Sequence, residues 1–214
     1  MSSELVLYTN PMSRGRIVRW ILEEIGHPYQ TELVPYGATM KAPEYRAINP
    51  MGKVPALKHG NVVITECAAI CAYLADAFPA AALAPASGDR LRGPYYRWLF
   101  FFAGPLEAAS TNKMLGVTVP EDKRGFVGYG SLDEVLAVID AALSGRDFLV
   151  GDRFSAADVY ASAHLGWGMQ FGTVERRPRF ERYCERHSAR PAAIRAREID
   201  DALLASQAEA PEPS

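Results

Sequence analysis

Hydrophobic and polar positions change their spacing several times along the first part of the chain. Residues 5–8 form a short apolar run that predicts a strand, and turn-forming residues follow at 9–11. From Ser13 to Ile25 apolar residues recur every three or four positions, which predicts a helix with Ser13 at its N-cap. Residues 29–36 alternate again and predict a second strand. A strand, a helix and a strand in this order indicate a parallel crossover unit.

The next elements are shorter. Residues 38–47 are polar and weakly helical, and residues 58–63 form two apolar runs around a Gly-Asn pair, which is typical of a tight hairpin. A further helix is predicted from Glu66 to about Ala77. The first third of the chain is therefore predicted to be β-α-β-α-β-β-α.

Helical periodicity replaces the strand signals in the rest of the chain. The long candidate helix over residues 90–114 contains two Gly-Pro pairs that should frame or kink it. Further helices are predicted over residues 123–143, 156–171, 177–187 and 191–204. Ser155, with Asp158 three residues later, matches a capping pair, and we assign both residues a structural role.

An Ala- and Pro-rich stretch separates the two kinds of pattern. We therefore predict a domain over residues 1–79, a linker over residues 80–89 and an all-helical domain over residues 90–214. The predicted fold class is an α/β domain followed by an all-α domain.

The composition is that of an ordinary globular protein. The chain has 214 residues, of which 49% are hydrophobic, and a net charge of -2, which gives no electrostatic footprint for nucleic acid. It shows no secretory signal, and no apolar run approaches the roughly 18 residues that span a bilayer. We expect a cytoplasmic protein that binds neither nucleic acid nor membrane. The three cysteines lack zinc-type spacing, so we expect reduced thiols and no metal site.

The segment with the clearest chemical meaning is Asn49–Leu57, NPMGKVPAL, just before the hairpin. This Pro-containing loop feeds the hairpin and then the helix predicted from Glu66. Loops and helix N-termini expose N–H groups without partners, and where they converge they suit a small anionic or peptide-like ligand. The pattern therefore predicts a ligand site here.

Several motifs, taken in chain order, resemble those of the soluble glutathione S-transferases. The segment containing Tyr8, Ser13, Arg16 and Trp20 is similar to the nucleophile-activating segment of bacterial serine-type and theta-like members. The other similar motifs are NPMGKVPAL at 49–57, ECAAI at 66–70 and FLVGDRFSAAD at 148–158. The resemblance covers nearly the whole chain and implies a thioredoxin-like domain followed by a helical domain.

The resemblance also implies that the first domain binds glutathione, a tripeptide with two carboxylates, an ammonium and a thiol. The bond before Pro55 is expected to be cis, so that the Val54 backbone pairs with the cysteinyl backbone of the tripeptide. The alternative is an ordinary trans proline. Cys67 stands where the family usually has Ser, and a thiol is a poorer donor than a hydroxyl, so the backbone N–H is the expected contact there.

The two ends of the tripeptide need partners of suitable charge. The helix start at Glu66 and Cys67 can present N–H groups to the γ-glutamyl carboxylate, and Glu66 can receive the adjacent ammonium. Lys53 and Lys41 can balance the glycyl carboxylate. The alternatives are that Glu66 is only a favourable first-turn acid and that the lysines are solvated surface residues.

Ser13 is the expected catalytic residue, because a hydroxyl at a helix N-terminus can donate a hydrogen bond to the glutathione sulfur and favour the thiolate. A hundredfold preference for the thiolate requires roughly 2.7 kcal/mol, which one charge-assisted hydrogen bond and the helix end can supply. The alternatives are that Ser13 only caps its helix, and that Tyr8 or Cys67 contacts the sulfur instead.

The predicted function is that of a glutathione transferase, whose bound thiolate attacks a hydrophobic electrophile. Glutathione is then a cosubstrate, and no prosthetic group or metal is expected. We expect Met12, Phe102 and Leu106 to line an apolar electrophile pocket, and the resemblance implies a symmetric homodimer. The alternatives are a glutathione-dependent disulfide reductase or peroxidase acting through Cys67, a glutathione-assisted isomerase, and a noncatalytic glutathione-binding module.

Overall fold

The computed structural model describes residues 4–208, and the chain divides into two compact units. The first unit combines the residues up to Ala81 with those from Arg190 onward, and the second is Ala82–Ala189. Within residues 4–208, none of the helices combines the length and the apolar character needed to cross a bilayer.

The first unit is built on a four-stranded sheet with the strand order β2-β1-β3-β4. Its elements are β1 (Leu5–Thr9), α1 (Gly15–Ile25), β2 (Gln30–Leu33), α2 (Ala38–Lys41), α3 (Pro43–Arg46), β3 (Ala56–His59), β4 (Val62–Thr65) and α4 (Cys67–Ala77). β1 pairs in parallel with β2 and antiparallel with β3, which pairs antiparallel with β4. The predicted thioredoxin-like order, including the parallel crossover, is confirmed, although two short helices replace the single one predicted over residues 38–47.

The core of the first unit is made by the apolar positions that set the sequence pattern. β1 buries side chains on both of its faces, and α1 buries the stripe of apolar residues that recurs with helical spacing. Gly26 ends α1 in the left-handed conformation, with φ 69°. The fully buried members of this core include Leu5, Leu7, Ile17, Ile21, Leu22, Leu57, Ile70 and Leu74.

The second unit is all-helical, as predicted. Its helices are α5 (Arg92–Phe101), α6 (Glu107–Met114), α7 (Leu132–Ala142), α8 (Ala156–Gln170) and α9 (Pro178–Ser188). A π-helical segment, Phe102–Leu106, joins α5 to α6. It contains Pro105, whose missing N–H cannot continue the regular hydrogen-bond ladder, so the second predicted Gly-Pro site marks the irregularity.

The helix predicted over residues 123–143 is wrong in its first part. Glu121–Phe126 forms a 3₁₀ segment, and α7 begins only at Leu132. A capping box fixes the start of α7. In it, Ser131 Oγ accepts from the Glu134 N–H at 3.2 Å, and the Glu134 carboxylate accepts from the Ser131 N–H at 2.9 Å. The local capping chemistry therefore decides where α7 starts.

Asp158 has the structural role that the sequence indicated. Its carboxylate accepts hydrogen bonds from the backbone N–H groups of Leu149 and Ser155 at 2.8 and 2.9 Å. It also accepts from the hydroxyls of Ser155 and Tyr183 at 2.9 and 2.7 Å. Burial raises the pKa of Asp158, and these hydrogen bonds act in the opposite direction. The carboxylate thus joins the start of α8 to α9 and to the segment before α8.

The last helix, α10 (Pro191–Ala208), belongs to the first unit, although it falls within the helical domain predicted over residues 90–214. The physical reason is ion pairing with α1. Arg19 is 1% exposed, and its Nε donates to Asp200 Oδ1 at 2.9 Å. Arg16 Nη2 donates to Asp201 Oδ1 at 2.7 Å. These ion pairs hold α10 against α1.

Replacing Asp200 with Asn should lower the free energy of unfolding by about 2–3 kcal/mol, because the buried Arg19 guanidinium loses its counter-charge while one acceptor oxygen remains. Urea denaturation of the parent and the variant measures the difference. The matched control is Asp201→Asn, since the Asp201 side chain is 57% exposed and its pair should contribute less than about 1 kcal/mol. Equal losses in the two variants would contradict the importance of burial.

Candidate functional site

Three loops of the first unit lie at the same end of its strands. Tyr8, near the end of β1, is paired with Ala56 at the start of β3, and Ala56 is paired with Thr65 at the end of β4. The loop after β1, the loop before β3 and the start of α4 therefore lie side by side. This follows from the antiparallel pairing of β3 with both of its neighbours.

The loop before β3 is held by side chains that donate to its carbonyl groups. Asn49 Nδ2 and the Tyr45 hydroxyl both donate to the Lys53 carbonyl oxygen, at 2.7 and 2.8 Å. Lys41 Nζ donates to the Gly52 carbonyl oxygen at 2.6 Å. Lys41 thus secures the loop, whereas the Lys53 side chain is exposed at the surface. Their contact with a glycyl carboxylate stays a prediction.

The peptide bond between Val54 and Pro55 is cis. Val54 is half-buried and packs against a small cluster formed by Val34, Met40 and Tyr45. Among the described residues, no hydrogen bond engages the Val54 backbone N–H or carbonyl. Both groups are therefore available to an extended peptide.

The start of α4 has an unusual backbone. Glu66, the residue before the helix, has φ 65° and ψ 115°, a conformation that is uncommon for residues other than glycine. Its side chain is exposed, while Cys67 is only 8% exposed. Cys67 Sγ donates to the Arg14 carbonyl oxygen at 3.6 Å, a distance typical of a weak thiol hydrogen bond. The starts of α4 and α1 are thus adjacent.

Two helix N-termini side by side make this edge of the unit favourable to negative charge. Each helix end is equivalent to roughly half a positive charge and leaves first-turn N–H groups for a ligand. The effect falls off within the first turn, so it acts on groups placed at the helix starts. A carboxylate or a thiolate bound here would be stabilised.

Ser13 lies just before α1 and is 8% exposed. Its hydroxyl donates to the Asn10 carbonyl oxygen at 2.6 Å and accepts from the Gly15 N–H at 3.0 Å. The N-cap of α1 is Arg14 rather than the predicted Ser13, but the Ser13 hydroxyl accepts from the first N–H of the helix, and its one hydrogen points to Asn10. The hydroxyl must turn away from that carbonyl before it can donate to a bound sulfur.

Tyr8 packs against the same cluster as Val54, with its ring centroid 6.1 Å from that of Tyr45. Burial, with a smaller contribution from the nearby Glu32 carboxylate, raises the pKa of Tyr8. A raised pKa makes the phenol a weaker acid, although it can still donate a neutral hydrogen bond.

Sequence reasoning missed Asn10, which organises the loop after β1. The side chain is 5% exposed, and its Nδ2 donates to the Val34 carbonyl oxygen at 3.2 Å while its Oδ1 accepts from the Met12 N–H at 2.9 Å. Its own carbonyl receives the Ser13 hydroxyl. The signal was available, because Asn followed by Pro after a strand is typical of a turn whose side chain bonds the backbone two residues on.

The residues expected at the electrophile pocket differ in exposure. The Met12 side chain is 73% exposed in the first unit, whereas Phe102 and Leu106 are at most 1% exposed in the second. That pocket stays a prediction. In the part of the chain that the structure describes, no group of three or more His, Cys, Asp or Glu side chains is arranged to hold a metal ion.

The first unit has a four-stranded sheet, a peptide-accessible loop and two adjacent helix starts, and the second unit is all-helical. These features define the class of proteins that have a thioredoxin-like domain followed by a helical domain. Residues 12–77 match the family model for the glutathione S-transferase N-terminal domain, and residues 129–191 match that for the C-terminal domain. The chain belongs to the glutathione S-transferase family.

Individual relatives agree with this assignment. The chain is 30% identical over 172 residues to glutathione S-transferase GST-4.5 of Xanthomonas campestris, covering 78% of this chain and 83% of the relative. It is 31% identical over 187 residues to a maleylacetoacetate isomerase of Pseudomonas aeruginosa, covering 82% and 86%. A sphingomonad glutathione S-transferase solved with glutathione superposes with a TM-score of 0.74 at 27% identity, covering 92% of this chain and 98% of that one.

Proposed function

We propose that this protein is a glutathione transferase that joins the glutathione sulfur to an electrophilic carbon of a hydrophobic substrate. The observation that carries the proposal is the contact between the two helix starts, where Cys67 Sγ lies 3.6 Å from the Arg14 carbonyl oxygen. Ser13 is next to Arg14 in the chain, so a sulfur placed beside Ser13 also experiences the positive end of α4. The sphingomonad relative with bound glutathione supports this ligand.

In the proposed complex, the main chain sets the position of the tripeptide. The Val54 N–H and carbonyl, which have no partner among the described residues, pair with the cysteinyl backbone. The first turn of α4 receives the γ-glutamyl carboxylate, and Glu66 receives the ammonium. Lys53, and less directly Lys41, balances the glycyl carboxylate.

The proposed reaction begins with loss of the thiol proton to solvent. The Ser13 hydroxyl turns from the Asn10 carbonyl to the sulfur and donates to the thiolate, while the carbonyl keeps its bond from the Ser13 N–H at 2.9 Å. The thiolate electron pair then forms the sulfur–carbon bond. In a substitution the leaving group departs with the bonding pair of electrons, and in an addition the resulting carbanion takes a proton from water.

The electrophile is proposed to lie against an apolar surface that includes Met12, whose side chain is 73% exposed. We also propose a symmetric homodimer, for which sedimentation equilibrium at twice the chain mass of 23.5 kDa is the expected result. A monomeric mass at micromolar concentration would contradict it.

A second candidate is glutathione-assisted isomerisation, which is favoured by the similarity to a protein named maleylacetoacetate isomerase. There the sulfur adds to the substrate and is released again, so glutathione is not consumed. Mass spectrometry of the products separates the two functions. A stable thioether supports conjugation, whereas a rearranged product with unchanged glutathione supports isomerisation.

Replacing Glu66 with Gln should raise the KM for glutathione about tenfold with little change in kcat, because the lost contact to the ammonium acts on the ground state and the transition state alike. Steady-state conjugation of a chromogenic aryl halide at varied glutathione measures both constants. Glu44→Gln removes the same charge from an exposed residue of α3 and serves as the control. The same KM in all three proteins would contradict the assignment of Glu66.

A further inference from the structure

A cavity of about 80 Å³ on the second unit is unusual in its lining, because four arginines surround it. One comes from the turn after α7, and three come from α9 at spacings of three and four residues, which places them on one face of that helix. The arginines are Arg146, Arg179, Arg182 and Arg186, and the remaining lining residues are Leu143, Asp147 and Tyr183.

Two of the four guanidinium groups are held in place by carboxylates. Arg186 Nη1 donates to Asp147 Oδ2 at 2.5 Å. Arg179 Nη1 donates to Asp140 Oδ2 at 2.6 Å. A guanidinium that is already fixed loses less conformational freedom when it binds a further anion. These two arginines therefore form a preorganised part of the cavity.

The other two arginines have no such partner. Within residues 4–208, no hydrogen bond or ion pair engages the guanidinium groups of Arg146 and Arg182. The lining contains four arginines and one aspartate, and Asp140 pairs with Arg179, so these six side chains carry two positive charges in excess while the whole chain has a net charge of -2. Like charges gathered around a cavity repel one another, and an anion between them relieves that repulsion.

We propose that this cavity binds a phosphoryl group, either as inorganic phosphate or as the phosphate monoester of a small molecule. A phosphoryl group offers several oxygens to guanidinium groups that approach from different directions, and the planar fork of arginine can contact two of them at once. Tyr183 cannot supply recognition, because its hydroxyl is committed to Asp158 at 2.7 Å. The arginines therefore determine which ligand the cavity binds.

Isothermal titration calorimetry with inorganic phosphate and with phenyl phosphate tests the site, in chloride buffer at constant ionic strength. The test protein carries Arg146→Gln and Arg182→Gln together. The control carries Arg124→Gln and Arg153→Gln, which remove the same charge from arginines of the same unit that are 50% and 84% exposed. Circular dichroism verifies that all proteins are folded.

The parent protein should bind at least one probe saturably, and the test protein should bind it about tenfold or more weakly, since two charge-assisted contacts are lost. The control should stay within about twofold of the parent. Equal binding of both probes identifies the phosphate group itself as the ligand, and tighter binding of phenyl phosphate identifies a monoester. No saturable binding of either probe, or equal weakening in the test and control proteins, would overturn the proposal.

Discussion

Ser13→Ala is expected to lower kcat/KM for conjugation of an aryl halide by about 10- to 100-fold. The hydrogen bond that the hydroxyl donates to the thiolate is charge-assisted, and such bonds contribute roughly 1.5–3 kcal/mol. Without it, the pKa of the bound glutathione thiol should rise. The pH–rate profile should therefore shift to higher pH in the variant, in addition to the loss of rate at neutral pH.

Two companion variants separate Ser13 from the other candidates. Tyr8→Phe removes a phenol whose pKa is raised by burial, and Cys67→Ala removes a thiol that is bonded to the Arg14 carbonyl. Both should keep most of the conjugating activity. If Cys67→Ala abolished turnover while Ser13→Ala retained it, the disulfide reductase or peroxidase interpretation would replace the transferase.

The capping role of Ser13 must be separated from catalysis. Ser13→Ala also removes the acceptor of the Gly15 N–H, so it should lower the free energy of unfolding by about 1 kcal/mol. Ser13→Gly removes the same hydroxyl, and the free energy of unfolding and the activity are measured for both variants. Activity should stay low in Ser13→Gly, and recovery of activity together with stability would show that the hydroxyl acts only as a cap.

Asp158→Ala should lower the free energy of unfolding by about 4 kcal/mol, the largest loss of stability that we expect from a single change. Four donors converge on this buried carboxylate, and each would be left without a partner in the variant. Guanidinium denaturation followed by circular dichroism measures the loss. Glutathione affinity of the folded protein, measured at low temperature, should change little.

An exposed acid at the start of another helix is the matched control for Asp158. Asp133→Ala in α7 removes a first-turn carboxylate that is exposed, so its effect should stay within about 1 kcal/mol. Asp158→Asn should fall between the two, because an amide can satisfy some donors but not all four. Equal melting temperatures for Asp158→Ala and the parent would contradict the structural role.

Local sequence patterns predicted most of the fold because helices, turns and caps depend on interactions between residues that are close together in the chain. The apolar spacing from Ile17 to Ile25, the Gly-Asn turn of the hairpin and the Ser155–Asp158 pair each depend on residues within a few positions of one another. The start of α7 was misplaced for the opposite reason. The apolar and charged residues from Lys123 onward mimic a helix, while the capping box at Ser131 decides the real boundary.

The candidate site was predicted in its parts rather than in its contacts. Motifs indicated that Ser13, Val54 and Glu66 belong to one ligand site, and the sheet register brings their loops to one edge. The direction of the Ser13 hydroxyl could not be predicted, because it depends on the folded position of the Asn10 carbonyl. Side-chain directions within loops have no periodic signature in a sequence.

The first unit combines two segments that are far apart in the chain, and this has a consequence for its biosynthesis. Arg19 is made early, whereas Asp200, its only ion-pair partner among the described residues, follows 181 residues later. During translation the ribosome therefore produces the entire helical unit before the counter-charge of Arg19 has been synthesised. The thioredoxin-like sheet therefore reaches its final stability only after α10 has been synthesised and has packed against α1.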